Sequence, residues 1–418
     1  MRNMVSAITV LLVFLVSCTR DYVTETYTFF RPVYHTKDEV KAAIKSAPAE
    51  AIVHPGKLFV KGNYVFLNDI NRGVHIINFS NPSAPENLAF VNIPGNVDIA
   101  VRGNYLYADC YTDLVSIDIS DPQNVKLAGF SEGVFPQRIY DSGFYPDSSK
   151  VITDWVRVDT VFKRRYERTS GWQQIFLSDI NALSSADYSS QFSPNKSTVN
   201  GTGGSMARFA LNNNRMYTVS YNDLKIFNTA NPAVPVYVGT VNIPQGLIET
   251  IFPYEDKLFL GSQTGMFIYS LASPDAPQQL AQFGHVRTCD PVIADGQYAY
   301  VTLSGGSSCG GFTNQMDVLD ISNIVSPQLV KSYPLTGPTG LSKDGNVLMV
   351  CDGDAGLKFM NAADPMNITV TATLTGIVPY DVIALGGTAL TVAKDGIYFI
   401  NYSNPAQPVV SGKLTVVN

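Results

Sequence analysis

The chain has 418 residues, and its 29 Lys and Arg against 35 Asp and Glu leave a formal net charge of −6. No basic cluster stands out, which argues against nucleic acid or an acidic lipid surface as a partner, since phosphate recognition needs a basic face. Few charges, 32 Gly, 24 Pro and many Tyr, Val and Ile suit an all-β fold with frequent turns.

Residues 1–18 read as a secretory signal: Arg2, then an apolar run over residues 5–16 that is too short to span a bilayer as a helix. Leu15-Val16-Ser17-Cys18 resembles the bacterial lipobox, which implies cleavage before Cys18 and a lipid on its thiol. That lipid would hold the chain on a membrane without crossing it. Residues 19–50 are expected to form a tether with one short helix, because Thr36 can cap the helix-compatible run that starts at Lys37.

From residue 51 to 418 the chain repeats, and residues 98–137 show the pattern best. DIAVRGNYLYAD, LVSIDISDPQNV and KLAGFSEGVFPQ give four short runs of alternating apolar and polar residues, the mark of half-buried strands. One such unit cannot bury its own faces, so units of roughly 40 residues must stack around an axis as a β-propeller of four-stranded blades. Repeat starts at Lys57, Asp98, Arg138, Arg208, Glu249, Asp290, Gly340 and Asp381 predict eight blades. The third repeat is interrupted by VFKRRYERTSGW, so residues 156–172 are expected to project as a hairpin between its second and third strands. If that stretch is instead an insertion, the ring has seven blades.

Asn81-Pro82, Asp121-Pro122, Asn231-Pro232, Ser273-Pro274, Asp364-Pro365 and Asn404-Pro405 mark the turn before the fourth strand. An Asx side chain can bond its own backbone there, and Pro has no N–H to give a ladder. Units such as GNYLYADCYTDLVSIDISDP and GNVLMVCDGDAGLKFMNAADP resemble the LVIVD-repeat family of bacterial, Bacteroidetes-type β-propeller lipoproteins. The resemblance implies the fold and an address in the cell envelope, lipid-anchored at the outer membrane. It brings no catalytic residue to carry over.

No metal or nucleophile signature is present: HExxH, CxxC and GxSxG are absent, and His35, His54, His75 and His285 do not cluster in sequence. No metal and no cofactor is expected; Asp352-Gly353-Asp354 lacks the later ligands of a calcium loop and reads as a polar turn. Cys289 and Cys309 sit in loops of one propeller face, where a disulfide between them is sterically possible. Cys110 and Cys351 read as small apolar residues at strand ends. His285, Arg287 and Asp290 share one mouth-facing loop, as either a hydrogen-bonded staple or part of a ligand site.

The column of repeat starts is charged in all but Gly340. A first strand lines a propeller's channel, so Asp98, Arg138, Arg208, Glu249 and Asp381 are expected to face one another there. They could plug the channel as ion pairs or, with His285, Arg287 and Asp290, offer a polar ligand socket. The reading preferred is a non-catalytic binding or scaffold module, monomeric, for an envelope protein, peptide or glycan. The alternative is a carbohydrate-active hydrolase or lyase using channel-mouth carboxylates, which would need two acids facing across a cleft.

Overall fold

The computed structural model describes residues 22–136, 149–165, 202–244, 246–284, 291–305 and 313–417. The chain divides into two compact units, one from residues 1–37 with 140–186 and the other from 38–139 with 187–418.

The second unit is a β-propeller. Among the described residues, seven four-stranded antiparallel blades span 55–92, 99–131, 209–242, 248–284, 292–334, 341–374 and 379–415, each with its strands paired in chain order. The expectation of eight blades is therefore corrected to seven. Of the stretch 156–172 expected to project from a third blade, the described part joins no blade: Lys150–Arg165 is a single strand paired along its length with Tyr22–Thr36, a ribbon that belongs to the first unit, and residues 166–172 lie outside the described residues. The sequence KVITDWVRVDTVFKRR holds no Gly or Pro to break it and is rich in Val, Thr and aromatic residues, which suit one long strand. Its partner is a strand of similar length. Arg138, the start assigned to that blade, lies outside the described residues.

Between the ribbon strand and the blades, Lys37–Ala43 forms a short helix with Asp38 and Glu39 in its first turn and Lys41 in its last, the polarity its dipole favours. Lys45–Pro48 then adds an outer strand to the first blade beside Glu86–Asn92. No helix among the described residues is long and apolar enough to cross a membrane.

The blades bury on each other what none could bury alone. Phe252, Phe259 and Met266 of the fourth blade pack with Ile293, Tyr300 and Met316 of the fifth, and on to Leu341 and Leu348 of the sixth. Outer strands lose this alternation and expose Val236, Tyr237, Val370 and Val409. Tyrosines also join neighbours: the hydroxyls of Tyr107, Tyr217 and Tyr333 donate to the carbonyls of Pro232, Pro274 and Pro365 at 2.9–3.0 Å. Those prolines belong to the turns before the fourth strands, where Asn81, Asp121, Asn231, Asp364 and Asn404 each accept the N–H two residues on. Gly73, at φ +148°, opens a third strand where a side chain would fall on the Val91 carbonyl oxygen, so only glycine lets the fourth strand close up. The ring closes through Ile52, which bridges Val416 in parallel and accepts the Val417 N–H at 2.9 Å.

Candidate functional site

First strands of successive blades lie against one another around the axis, so whatever pairs with the free edge of a first strand lies in the channel. That position is taken by the chain itself. Thr202–Gly203 pairs with Val60 and Phe59 on the inner edge of the first blade, and the residues that follow run across the ring.

The residues of this plug bond to five of the blades. The Gly204 N–H donates to Leu58 of the first blade at 3.2 Å. Ser205 gives its N–H to Asp381 of the seventh blade at 3.1 Å, and its hydroxyl accepts the Leu341 N–H of the sixth at 3.0 Å. The Met206 carbonyl accepts Lys57 Nζ at 2.5 Å. Ala207 receives the Ile251 N–H of the fourth blade at 2.9 Å, and Arg208 gives its own N–H to Asp98 of the second at 2.8 Å before entering the third. Small residues make this possible: a Cβ on Gly204 would land inside the Asp381 carboxylate. Ser205, Met206 and Ala207 are buried.

The charged column therefore meets at the axis, around the plug. Asp98 is fully buried, with Lys57 Nζ 3.2 Å and Arg208 Nε 3.8 Å from its Oδ2. Burial drives the Lys57 ammonium down from its usual range, and the adjoining Asp98 carboxylate opposes that shift. Burial also pushes the Asp381 carboxyl well above the usual carboxylate range, although the Val382 N–H, the charge of Lys57 and the Ser205 side chain pull the other way. Glu249 is raised for the same reason and accepts Gln263 Nε2 at 2.8 Å. Gly340, the uncharged member of the column, lies so close to Asp381 that a side chain there would strike its backbone. Arg138, His285, Arg287, Asp290, Cys289, Cys309 and Cys18 lie outside the described residues.

Of a second set of carboxylates, only Asp352 was singled out from sequence, as part of a polar turn. Asp69, Asp109 and Asp352 stand at or just past the ends of second strands and hold the loops around them. Asp109 Oδ1 accepts Val97 N–H at 2.7 Å, Asp98 N–H at 2.8 Å and Asn96 Nδ2 at 2.8 Å. Asp352 accepts the N–H groups of Thr336 and Gly337 at 2.8 and 2.9 Å and pairs with Lys358, so the Asp-Gly-Asp turn is held by its own chain. Asp69 accepts Val53 and His54 N–H, Arg72 and the buried His75. The recurrence of Asp in FLND, YLYAD and VLMVCD was the available signal. Cys110 and Cys351 are buried at the ends of their strands, the Cys110 thiol donating to the Pro94 carbonyl at 3.2 Å. Among the described residues, no group of three or more His, Cys, Asp or Glu could hold a metal ion.

A family model for the LVIVD repeat matches residues 56–91, 95–130 and 287–334. The first two matches coincide with the first and second blades and the third reaches to the end of the fifth. No curated protein matches the chain. Among solved structures, the computationally designed Ika8 protein is similar at 9% identity and a TM-score of 0.51, over 89% of this chain and 91% of that one. PorZ, a surface component of the type-IX secretion system of Porphyromonas gingivalis, shares 12% identity at a TM-score of 0.49, over 87% of this chain and 39% of its own. BamB from Moraxella catarrhalis shares 8% at 0.47, over 90% of this chain and 98% of its own. The likeness to Ika8, at a TM-score of 0.51, speaks to fold alone.

Proposed function

From a chain that carries LVIVD repeats on a seven-bladed propeller, we propose a non-catalytic binding or scaffold module of the cell envelope, held by lipid on Cys18 at the outer membrane. The observation that carries this reading is the plug. Acid and base work on a saccharide needs two carboxylates facing a substrate across a cleft. Asp98 and Asp381 are instead closed over residues 204–208 and spend their lone pairs on that segment's backbone N–H groups. A channel filled by its own chain serves as a rigid hub, and partners are met on the outside, where the outer strands and turns are exposed. The partner class is an envelope protein, peptide or glycan, bound by a monomer.

Affinity capture of the tagged full-length chain from solubilised native envelopes tests the reading, alongside turnover assays on envelope polysaccharides. A stoichiometric partner without turnover is expected, with the chain in the membrane fraction and Cys18→Ala released from it. Saccharide turnover that disappears in Glu249→Gln or Asp381→Asn would overturn the proposal.

A further inference from the structure

Two outer strands of the propeller end alike. Glu86–Asn92 of the first blade runs into Val91-Asn92-Ile93-Pro94, and Val236–Asn242 of the third into Val241-Asn242-Ile243-Pro244. Their registers match as well: Asn92 lies opposite Gly73 and Asn242 opposite Asp223, each behind a bulge at Leu88 or Val238. None of the other five outer strands contains an Asn.

In the first blade this end is occupied by the chain itself. Lys45–Pro48 adds along Ala89–Asn92 as an antiparallel strand, with Lys45 opposite Asn92, and Asn92 Nδ2 donates to the Ala43 carbonyl just ahead of it at 2.6 Å. In the third blade Val236–Asn242 is the last strand of its sheet among the described residues. Asn242 is exposed, and its side chain makes no hydrogen bond among the described residues. Beside it Val234 is 47% exposed, Val236 58%, Tyr237 54% and Val238 39%. Lys126, Lys331 and Lys413 stand on the second, fifth and seventh outer strands, where a charge guards an open edge against pairing. The third outer strand carries no charge at all.

We propose that the outer edge of the third blade takes an extended segment of a partner protein as a fifth, antiparallel strand, with Asn242 clamping a carbonyl at its leading end as Asn92 clamps that of Ala43. The inference deepens the binding reading above and rests on it. In strand addition the main-chain bonds supply affinity and alternate side chains supply choice. An uncharged edge lined by Val236, Tyr237 and Val238 selects a segment poor in charge and rich in β-branched or aromatic residues, because a charge laid on it loses water and gains no counter-ion.

The test places p-benzoylphenylalanine at position 237 of the full-length chain, in place of Tyr237, and photocrosslinks it in native envelopes, with sequencing of the crosslinked peptides. One stretch of one other envelope protein is expected, of the composition just described, and its yield should fall at least about tenfold when Val236→Lys and Asn242→Ala are added. Asn92→Ala, at the occupied edge, is expected to leave the yield unchanged. Crosslinks only to peptides of this chain, to glycan or to lipid, no crosslink, or a yield that Val236→Lys and Asn242→Ala do not change, overturns the proposal. Affinity capture from the same envelopes separates its failure from that of the binding reading: a partner retained by the Val236→Lys, Asn242→Ala chain removes this edge and leaves the binding module standing, whereas no partner for the wild-type chain overturns both.

Discussion

Asp98 takes the backbone N–H of Arg208 at 2.8 Å on the same oxygen that faces that residue's guanidinium Nε at 3.8 Å and Lys57 Nζ at 3.2 Å. One carboxylate oxygen thus fixes the end of the plug and balances two cations. Replacing Asp98 by Asn removes the carboxylate charge 3.2 Å from the Lys57 ammonium, which is only 4% exposed. Breaking one partner of a buried pair costs about 3–5 kcal/mol. Arg208→Met removes a longer contact to Asp98 from a side chain 20% exposed and keeps the backbone bond, so a smaller loss, about 1–2 kcal/mol, is expected. Urea unfolding of the two variants checks the order. If Arg208→Met were the more damaging, Asp98 would not be the hub of this cluster.

Gly204 tests the plug by shape alone. Its φ lies in the range any residue can adopt, so the cost of Gly204→Ala comes from the collision of the new methyl with the Asp381 carboxylate. Overpacking of this kind costs about 1–3 kcal/mol. Gly103, a turn glycine at φ +55° with open space around it, is the control: Gly103→Asn suits that left-handed turn and is expected to be nearly silent. Thermal unfolding of both separates the two causes. A silent Gly204→Ala would mean that the segment does not sit in the channel.

The blades were legible because alternation, turn glycines and Asx-Pro steps are local signals that recur. The charged column was legible too, since equal offsets from each first strand bring Lys57, Asp98 and Asp381 to one axis. The blade count was not: Lys150–Arg165 alternates like blade strands, and nothing local says that its partner is Tyr22–Thr36, more than a hundred residues earlier. Thr24, Thr26 and Thr28 alternate with Val23, Tyr27 and Phe29 in the stretch read as tether, a strand signal overlooked. The plug was illegible for another reason. Thr202-Gly203-Gly204-Ser205 carries no periodicity, and its place is decided by backbone bonds to five blades that only the assembled ring provides.

Asp109 is expected to be the more sensitive of the carboxylates outside the channel. Its Oδ1 serves Val97, Asp98 and Asn96 together, and all three donors are buried. Asp109→Ala takes this acceptor from the Val97 and Asp98 N–H groups, while Asn96 keeps backbone carbonyls to donate to, for a loss of about 2 kcal/mol or more, since each orphaned buried donor costs about 1–3 kcal/mol. Asp121, exposed in its turn and accepting one N–H from Gln123, is expected to cost about 1 kcal/mol or less on the same change. Denaturant midpoints for the two alanine variants provide the comparison, and equal losses would show that the second-strand carboxylates do not tie the loops.

The last expectation concerns pH. Burial raises the Asp381 carboxyl well above the usual range, so the folded chain keeps a proton there that the unfolded chain releases above about pH 4. The folded state then binds more protons than the unfolded one between that pH and the raised value. Stability from this group therefore falls as pH rises through the window and levels off above it. Asp381→Asn cannot titrate but retains a carbonyl oxygen for the N–H groups of Ser205 and Val382. Wild type and variant are expected to be closest in stability near pH 4, with the variant gaining on the wild type as pH is raised toward 7. Carboxylates shifted downward, such as Asp69, tilt both curves alike and cancel in the difference. Glu249 is shifted upward like Asp381, so adding Glu249→Gln should remove part of the slope that remains. Urea midpoints taken at half-unit pH steps give the curves. A difference that moves in the wild type's favour with rising pH would mean that Asp381 is held as a stabilised anion, with Lys57 outweighing burial, and the sign argued here would be wrong.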